Sequence, residues 1–200
     1  MLTVDCEPMF LLLLLLLLPS SIYSRGTSSL YSSPNMDRIC NKIIQLHGDT
    51  LPGTFFTFTS DSYGENLDCL LTIKGATVNQ RIIIVVDKMD IACGGDKLLI
   101  YDGRKDQISL LNPDESYQCG TKRFYLKTNN TNTVLIEFIS NDDRRIGNGF
   151  IINVAIHFPV RSCAQSENLY RCRNHLCISN IFNCDDRNWC GDDTQRFVCR

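Results

Sequence analysis

An all-β fold, a two-sheet sandwich followed by a small disulfide-rich module, is what the sequence predicts, on three observations. Short apolar runs separated by turn residues recur from Cys40 to Phe158, as in antiparallel β domains. One run alternates strictly, with Phe150, Ile152, Val154, Ile156 and Phe158 against Ile151, Asn153, Ala155 and His157, so that one set faces inward and the other outward or toward a second layer. After Pro159 the texture changes, with six cysteines in the last 38 residues and hardly an apolar run.

The chain opens on an unbroken apolar run at residues 9–18, too short for a bilayer core of about 30 Å and suited to a signal peptide. Residues 1–24 are therefore expected to be a signal peptide, although Asp5 and Glu7 stand where its leading segment is normally basic. Cys6 would leave with it, turning eleven cysteines into an even ten, the count complete disulfide pairing needs in an oxidising compartment. No later segment has the length of a membrane helix, and the chain stops at Arg200 without a hydrophobic tail; the mature chain is expected to be secreted, soluble and without a transmembrane segment.

Residues 25–39 are serine-rich with little periodicity and read as a flexible N-terminal arm, order beginning near Cys40. The runs GTFFTFTS, CLLTIKG, QRIIIVVDK, DKLLIYDG, KRFYLKT, TVLIEFIS and GFIINVAIHF then supply the strands of one domain over residues 40–158. Two packed sheets bury such faces best. His157, on the weaker face of its strand, is expected at the surface or with a satisfied partner rather than as a ligand. Residues 163–199 form a second unit too small for core burial alone, so disulfides, a metal or both must hold it.

Charge and motif content exclude several functions. Without Asp5 and Glu7 the 22 acidic residues become twenty, against twenty basic, and this balance gives no sign of a nucleic-acid partner. No metalloprotease, nucleophile-elbow or phosphate-loop motif occurs, and His47, His157 and His175 lack matching nucleophile signatures; the protein is not expected to be an enzyme. Zinc at the cysteine cluster beside His175 is disfavoured, because thiolates rarely survive in an oxidising compartment. The sequon at Asn129, Asn130 and Thr131 lies in a polar turn between strands and marks Asn129 as a glycosylation candidate.

Three stretches carry a family resemblance: SYGENLDCLLTI at 62–73, CGGDKLLIYDG at 93–103, and VLIEFIS followed by GNGFIINVAIHF. Together and in order they resemble the CUB domain, an extracellular β-sandwich, over about 120 residues. The resemblance implies disulfides Cys40 with Cys69 and Cys93 with Cys119. Many CUB domains bind calcium through a Glu and two Asp; the matching positions here are Ala92, Asp96 and Asn141, so Asp96 alone is retained. Asp90 and Asp142 are close enough in sequence to compensate through a changed loop.

The tail resembles a low-density-lipoprotein-receptor class A module on YRC at 170–172, CI at 177–178 and FNCD at 182–185. Composition leaves the connectivity of its six cysteines open; the resemblance implies Cys163 with Cys177, Cys172 with Cys190, and Cys184 with Cys199. The family's calcium cage uses two carbonyls, here from Phe182 and Arg187, and four carboxylates. Asp185 matches one of these, and Trp189, Gln195 and Arg196 stand at the others. A hard ion wants six to eight oxygens, so this is a vestigial site, as at Asp96. Asp192 and Asp193 are out of register and expected to face solvent. No cofactor is expected; calcium is the ion both families suggest, and both cages are depleted. Trp189 is a candidate partner-binding residue, because tryptophan is enriched in interface hot spots, with packing as the alternative.

The order of a CUB-like domain and a class A-like module resembles the extracellular parts of receptor-auxiliary proteins. It implies a secreted, non-enzymatic protein-interaction protein, an adaptor or clustering factor for a cell-surface receptor, with an extracellular or cell-surface protein as partner. The alternatives are a carrier that captures carbohydrate or lipid, a decoy form of a membrane co-receptor, and a matrix component.

Overall fold

The structure is a computed structural model that describes residues 33–47, 55–61, 63–103, 109–143, 147–184 and 186–194. Eleven strands occur among them: β1 (Ile43–Leu46), β2 (Phe55–Ser60), β3 (Asp68–Gly75), β4 (Arg81–Ile91), β5 (Lys97–Asp102), β6 (Ser109–Leu110), β7 (Gly120–Lys127), β8 (Thr133–Ile139), β9 (Gly149–His157), β10 (Leu169–Arg171) and β11 (Cys177–Ser179). One short helix, α1 (Val160–Cys163), links the sandwich to the tail. No helix among the described residues is long and apolar enough to cross a membrane.

Two sheets face each other, one ordered β1-β3-β8-β5-β6 and the other β2-β9-β4-β7. The β1–β3 pair is parallel and the other pairs of these sheets are antiparallel. Phe150, Ile152, Val154 and Ile156 of β9 enter the core between the sheets with Leu71, Ile73, Ile136 and Phe138 from β3 and β8, as their alternation requires.

Strand β4 shows how a run apolar on every residue is used. Ile82, Ile84 and Val86 point into the central core, and so do Met89 and Ile91; the inward set changes from even to odd numbers. That change needs one extra residue, and the pairing of β4 with both neighbours shifts after Val86, the signature of a β-bulge. The remaining members, Ile83 and Val85, point out of the sandwich and are nonetheless buried, in a second cluster with Ala155, Leu176, Ile178, Phe182 and Trp189.

That second cluster revises the expected autonomy of the tail. Its apolar side chains lie on the outer face of the four-stranded sheet, and Phe158 N donates to Cys177 O at 2.7 Å. Asp87, beside the bulge, has its Oδ2 3.5 Å from Arg187 Nε, an ion pair outside hydrogen-bond geometry. Gly191 completes the fit: at φ +71° it lies so close to Tyr125 that a Cβ would come within 2.5 Å of Cδ1. Sheet burial thus adds to disulfides in holding the tail.

The chain also orders earlier than its composition suggests. Asn35 Oδ1 accepts from Asp37 N and caps a 3-10 turn at Met36–Ile39 that buries Met36 and Ile39 in the central core. Asn35 also bridges Thr59 in parallel. Part of the segment expected to be a flexible arm therefore belongs to the sandwich; two apolar residues three apart suffice for one 3-10 turn but give no periodicity to read. Residues 1–32, which hold the expected signal peptide and the rest of the arm, lie outside the described residues.

Disulfides join Cys40 to Cys69, Cys93 to Cys119, Cys163 to Cys177 and Cys172 to Cys190, with Cα separations of 5.1, 5.2, 5.7 and 5.7 Å, in the usual range. The remaining expected pair, Cys184 with Cys199, involves a residue outside the described set.

Candidate functional site

The antiparallel registers give the sandwich two ends. Asp68 pairs with Ile139, Lys97 with Ile139 and Asp90 with Gly149 at one end. Lys74 pairs with Thr133, Asp102 with Val134 and Arg81 with His157 at the other.

Tyr63 organises the first end. Its hydroxyl donates to Asp96 Oδ2 at 2.7 Å and accepts from Ala92 N at 2.9 Å and Gly147 N at 3.1 Å. One phenol thereby ties together the segment before β3, the β4–β5 turn and the β8–β9 loop. The ring is buried edge-on against Phe138, with centroids 4.8 Å apart, and burial raises the phenol pKa above its ordinary value. Asp96 is buried too, its other oxygen accepting from Asn141 N at 2.9 Å. Gly149 permits the close approach of the loop, since at φ +80° a Cβ there would fall 1.3 Å from Ser60 O.

Replacing Tyr63 by phenylalanine is expected to cost about 2 kcal/mol, because it strips a partner from a buried carboxylate and from two backbone N–H groups. A urea titration followed by circular dichroism measures it. A midpoint equal to that of the parent protein would contradict the hub.

The residues expected around a calcium ion at this end are otherwise engaged. Ala92 contributes its N–H to Tyr63, Asn141 Oδ1 accepts from Asp143 N at 3.2 Å, and Asp142 is exposed. Asp90 accepts from Asn148 and from Thr121 Oγ1, and the Asn148 hydrogen bonds hold its carboxyl below the ordinary range. Among the described residues no group of three or more His, Cys, Asp or Glu is placed to hold a metal ion.

In the tail, Trp189 is fully buried and stacked on Phe182, ring centroids 4.6 Å apart. This corrects its assignment as a partner-binding residue: a side chain sealed between the tail and Ile83, Val85 and Ala155 presents no surface to a partner. Asp192 is not simply solvent-facing; its carboxylate accepts from Asn174 N and Thr194 N and folds the turn. Asp185, Gln195 and Arg196, three of the four expected carboxylate positions, lie outside the described residues.

At the other end, buried Asp102 anchors the sequon loop. Its carboxylate accepts from Asn129 N at 2.7 Å, Asn130 N at 3.0 Å and Thr131 N at 3.2 Å, with Thr131 Oγ1 2.8 Å away. The loop is thus fixed while Asn129 stays exposed. The sequence marked Asp102 only as part of YDG, and its anchoring role is visible only once β5 and the β7–β8 loop are adjacent. His157 is buried and not at the surface, with backbone contacts to Phe158 and Thr128. Burial pushes its pKa down to about 4, with Lys127 and Arg81 adding in the same direction.

Residues 48–154 match the family model of the CUB domain. The chain is 25% identical over 139 residues to human low-density lipoprotein receptor-related protein 10 and 24% identical over 139 residues to its mouse counterpart. In both cases 70% of this chain aligns and spans 18% of the relative's length. Among solved structures, the CUB1-EGF-CUB2 domain of human MASP-1/3 aligns with TM-score 0.46 and 20% identity, covering 58% of this chain and 42% of that one. The full extracellular region of zebrafish Gpr126/Adgrg6 aligns with TM-score 0.44 and 17% identity, covering 58% and 14%.

Proposed function

The chain belongs to the CUB domain family, and from that premise we propose that it is a secreted, non-enzymatic protein-interaction protein, an adaptor or clustering factor that engages a cell-surface receptor. CUB domains are binding modules, and family membership together with paired cysteines suggests an extracellular location. The carrying observation is the Tyr63 hub, which fixes three connecting segments at one end of the sandwich through protein hydrogen bonds. Loops held on a rigid scaffold are where recognition is usually built, and preorganisation lowers the entropic cost of binding.

Calcium is not required in this reading, since Asp96 already receives two protein donors. The tail, read as a class A-like module, serves as a rigid extension. Residues 1–24 act as the signal peptide, and Asn129 carries a glycan away from the binding loops.

Proximity labelling on intact cells with the tagged full-length protein, with and without a calcium chelator, tests this. Labelling of one membrane protein, kept under chelation and lost with Asp142→Arg, is the expected result. Dependence on calcium, or indifference to Asp142→Arg, would overturn the assignment to these loops.

A further inference from the structure

Opposite the Tyr63 loops, the β3–β4 turn, the end of β9 and α1 line a pocket of about 700 Å³. Its buried lining includes Gln80 and His157, and Gln80 Nε2 has no hydrogen-bond partner among the described residues. Apolar side chains stand among its exposed polar ones: Phe158, Pro159 and Val160 line it, Val160 is 38% exposed, and Val78, between the exposed lining residues Thr77 and Asn79, is 78% exposed.

The charges here are of one sign. Arg81 and Arg161 both line the pocket, and among the described residues no aspartate or glutamate does. The Arg81 guanidinium donates to Val78 O, Gln80 O and Asn129 O; carbonyls orient it without neutralising its charge. Arg161 is exposed and meets no carboxylate among the described residues. An apolar cleft rimmed by two uncompensated guanidiniums is complementary to a carboxylate carried on an apolar support.

We propose that this pocket docks a glutamate or aspartate side chain flanked by apolar residues, presented by a protein partner. The inference rests on the reading of the chain as a protein-interaction protein and assigns it a second contact surface. A membrane is the poorer fit, because about four to eight clustered basic residues are typical of anionic-lipid recognition and only two arginines line this cleft. A glycan on Asn129 would stand beside this rim, since Arg81 Nε bonds Asn129 O at 3.1 Å.

The test uses the secreted full-length protein, isotopically labelled and enzymatically deglycosylated, with a capped pentapeptide carrying glutamate between two leucines. The expected result is amide shifts confined to residues 77–81 and 157–162, with affinity at least about fivefold weaker for the glutamine peptide. Arg161→Glu should abolish the glutamate-peptide shifts and bring in a lysine-centred peptide; its exposed position leaves the fold intact. Equal binding of the glutamate and glutamine peptides would overturn the charge recognition. Absence of shifts at about 10 mM peptide, beyond any useful affinity, would overturn the site, and matching shifts from phosphatidylserine vesicles would reassign it to lipid. Arg161→Glu and Asp142→Arg lie at opposite ends of the sandwich, so failure of this pocket and failure of the loop surface are read separately.

Discussion

Replacing Trp189 by alanine is expected to destabilise the protein by about 3–5 kcal/mol, the range for truncating a large buried aromatic. The side chain is fully buried, stacked on Phe182, and packed in one cluster with Ile83, Val85 and Ala155. Its loss leaves a cavity at a seam that the sheet cannot close, because β4 and β9 are held by pairing along their length. The same substitution takes a packing partner from Ile83, Val85 and Ala155 of the outer sheet face.

Trp189 is also the chain's one tryptophan, so intrinsic fluorescence of the parent protein reports the seam directly. Blue-shifted emission protected from aqueous quenchers is expected, lost in the same urea transition that melts the sandwich. A Trp189→Ala variant with an unchanged urea midpoint would mean that the tail does not rest on the sheet.

Acidification is expected to remove about 3 kcal/mol of stability between pH 6.5 and pH 4, through His157. Its pKa falls from 6.5 to about 4 on folding, so the folded state favours the neutral ring and the unfolded chain binds the proton first. The contribution is complete above pH 6.5, declines as pH falls through the window, and reaches about 2 kcal/mol lost by pH 5. The leading cause is burial, which outweighs the opposing backbone hydrogen bonds of Phe158 and Thr128. The charged groups acting on the ring, Arg81 on β4 and Lys127 on β7, oppose protonation as well.

Asp90 and Asp114 are held below their ordinary 3.8 by hydrogen bonds, from Asn148 and from Ser116, so their contributions are lost at lower pH. Urea titrations at pH 7 and pH 5 on the parent and on His157→Gln measure the effect. The variant should show a much smaller difference between the two pH values; an equal difference would assign the acid sensitivity elsewhere.

Periodicity made much of the sandwich legible. The alternation of β9 placed Phe150, Ile152, Val154 and Ile156 inward without any knowledge of their partners, because a strand's side chains alternate by geometry alone. The all-apolar run of β4 was legible as a strand, but not the reason Ile83 and Val85 are apolar: that reason sits on the tail, about ninety residues away in sequence. The bulge after Val86 was equally hidden, since the run reads the same in either phase.

At the candidate site the sequence marked Asp96 and the weakened calcium ligand set, whereas Tyr63 stood out only as part of a motif. Its role in tying its own segment to two others depends on Ala92, Asp96 and Gly147 converging. Trp189 stood between packing and a partner because tryptophan is common both in cores and in hot spots, and composition does not say which neighbour it meets. The burial of His157 was hidden for the same reason, since its face of β9 reads as half-polar.

By itself, then, the sequence determined the all-β class and the strand-forming runs, because strand alternation is a local property of the chain. Only the tertiary structure decided that the tail rests on the outer sheet, that Trp189 is core, that Tyr63 ties three segments, and that two arginines share a cleft in which no described residue is a carboxylate. Each of those depends on which distant side chains meet, and burial and electrostatic environment are set by neighbours in space.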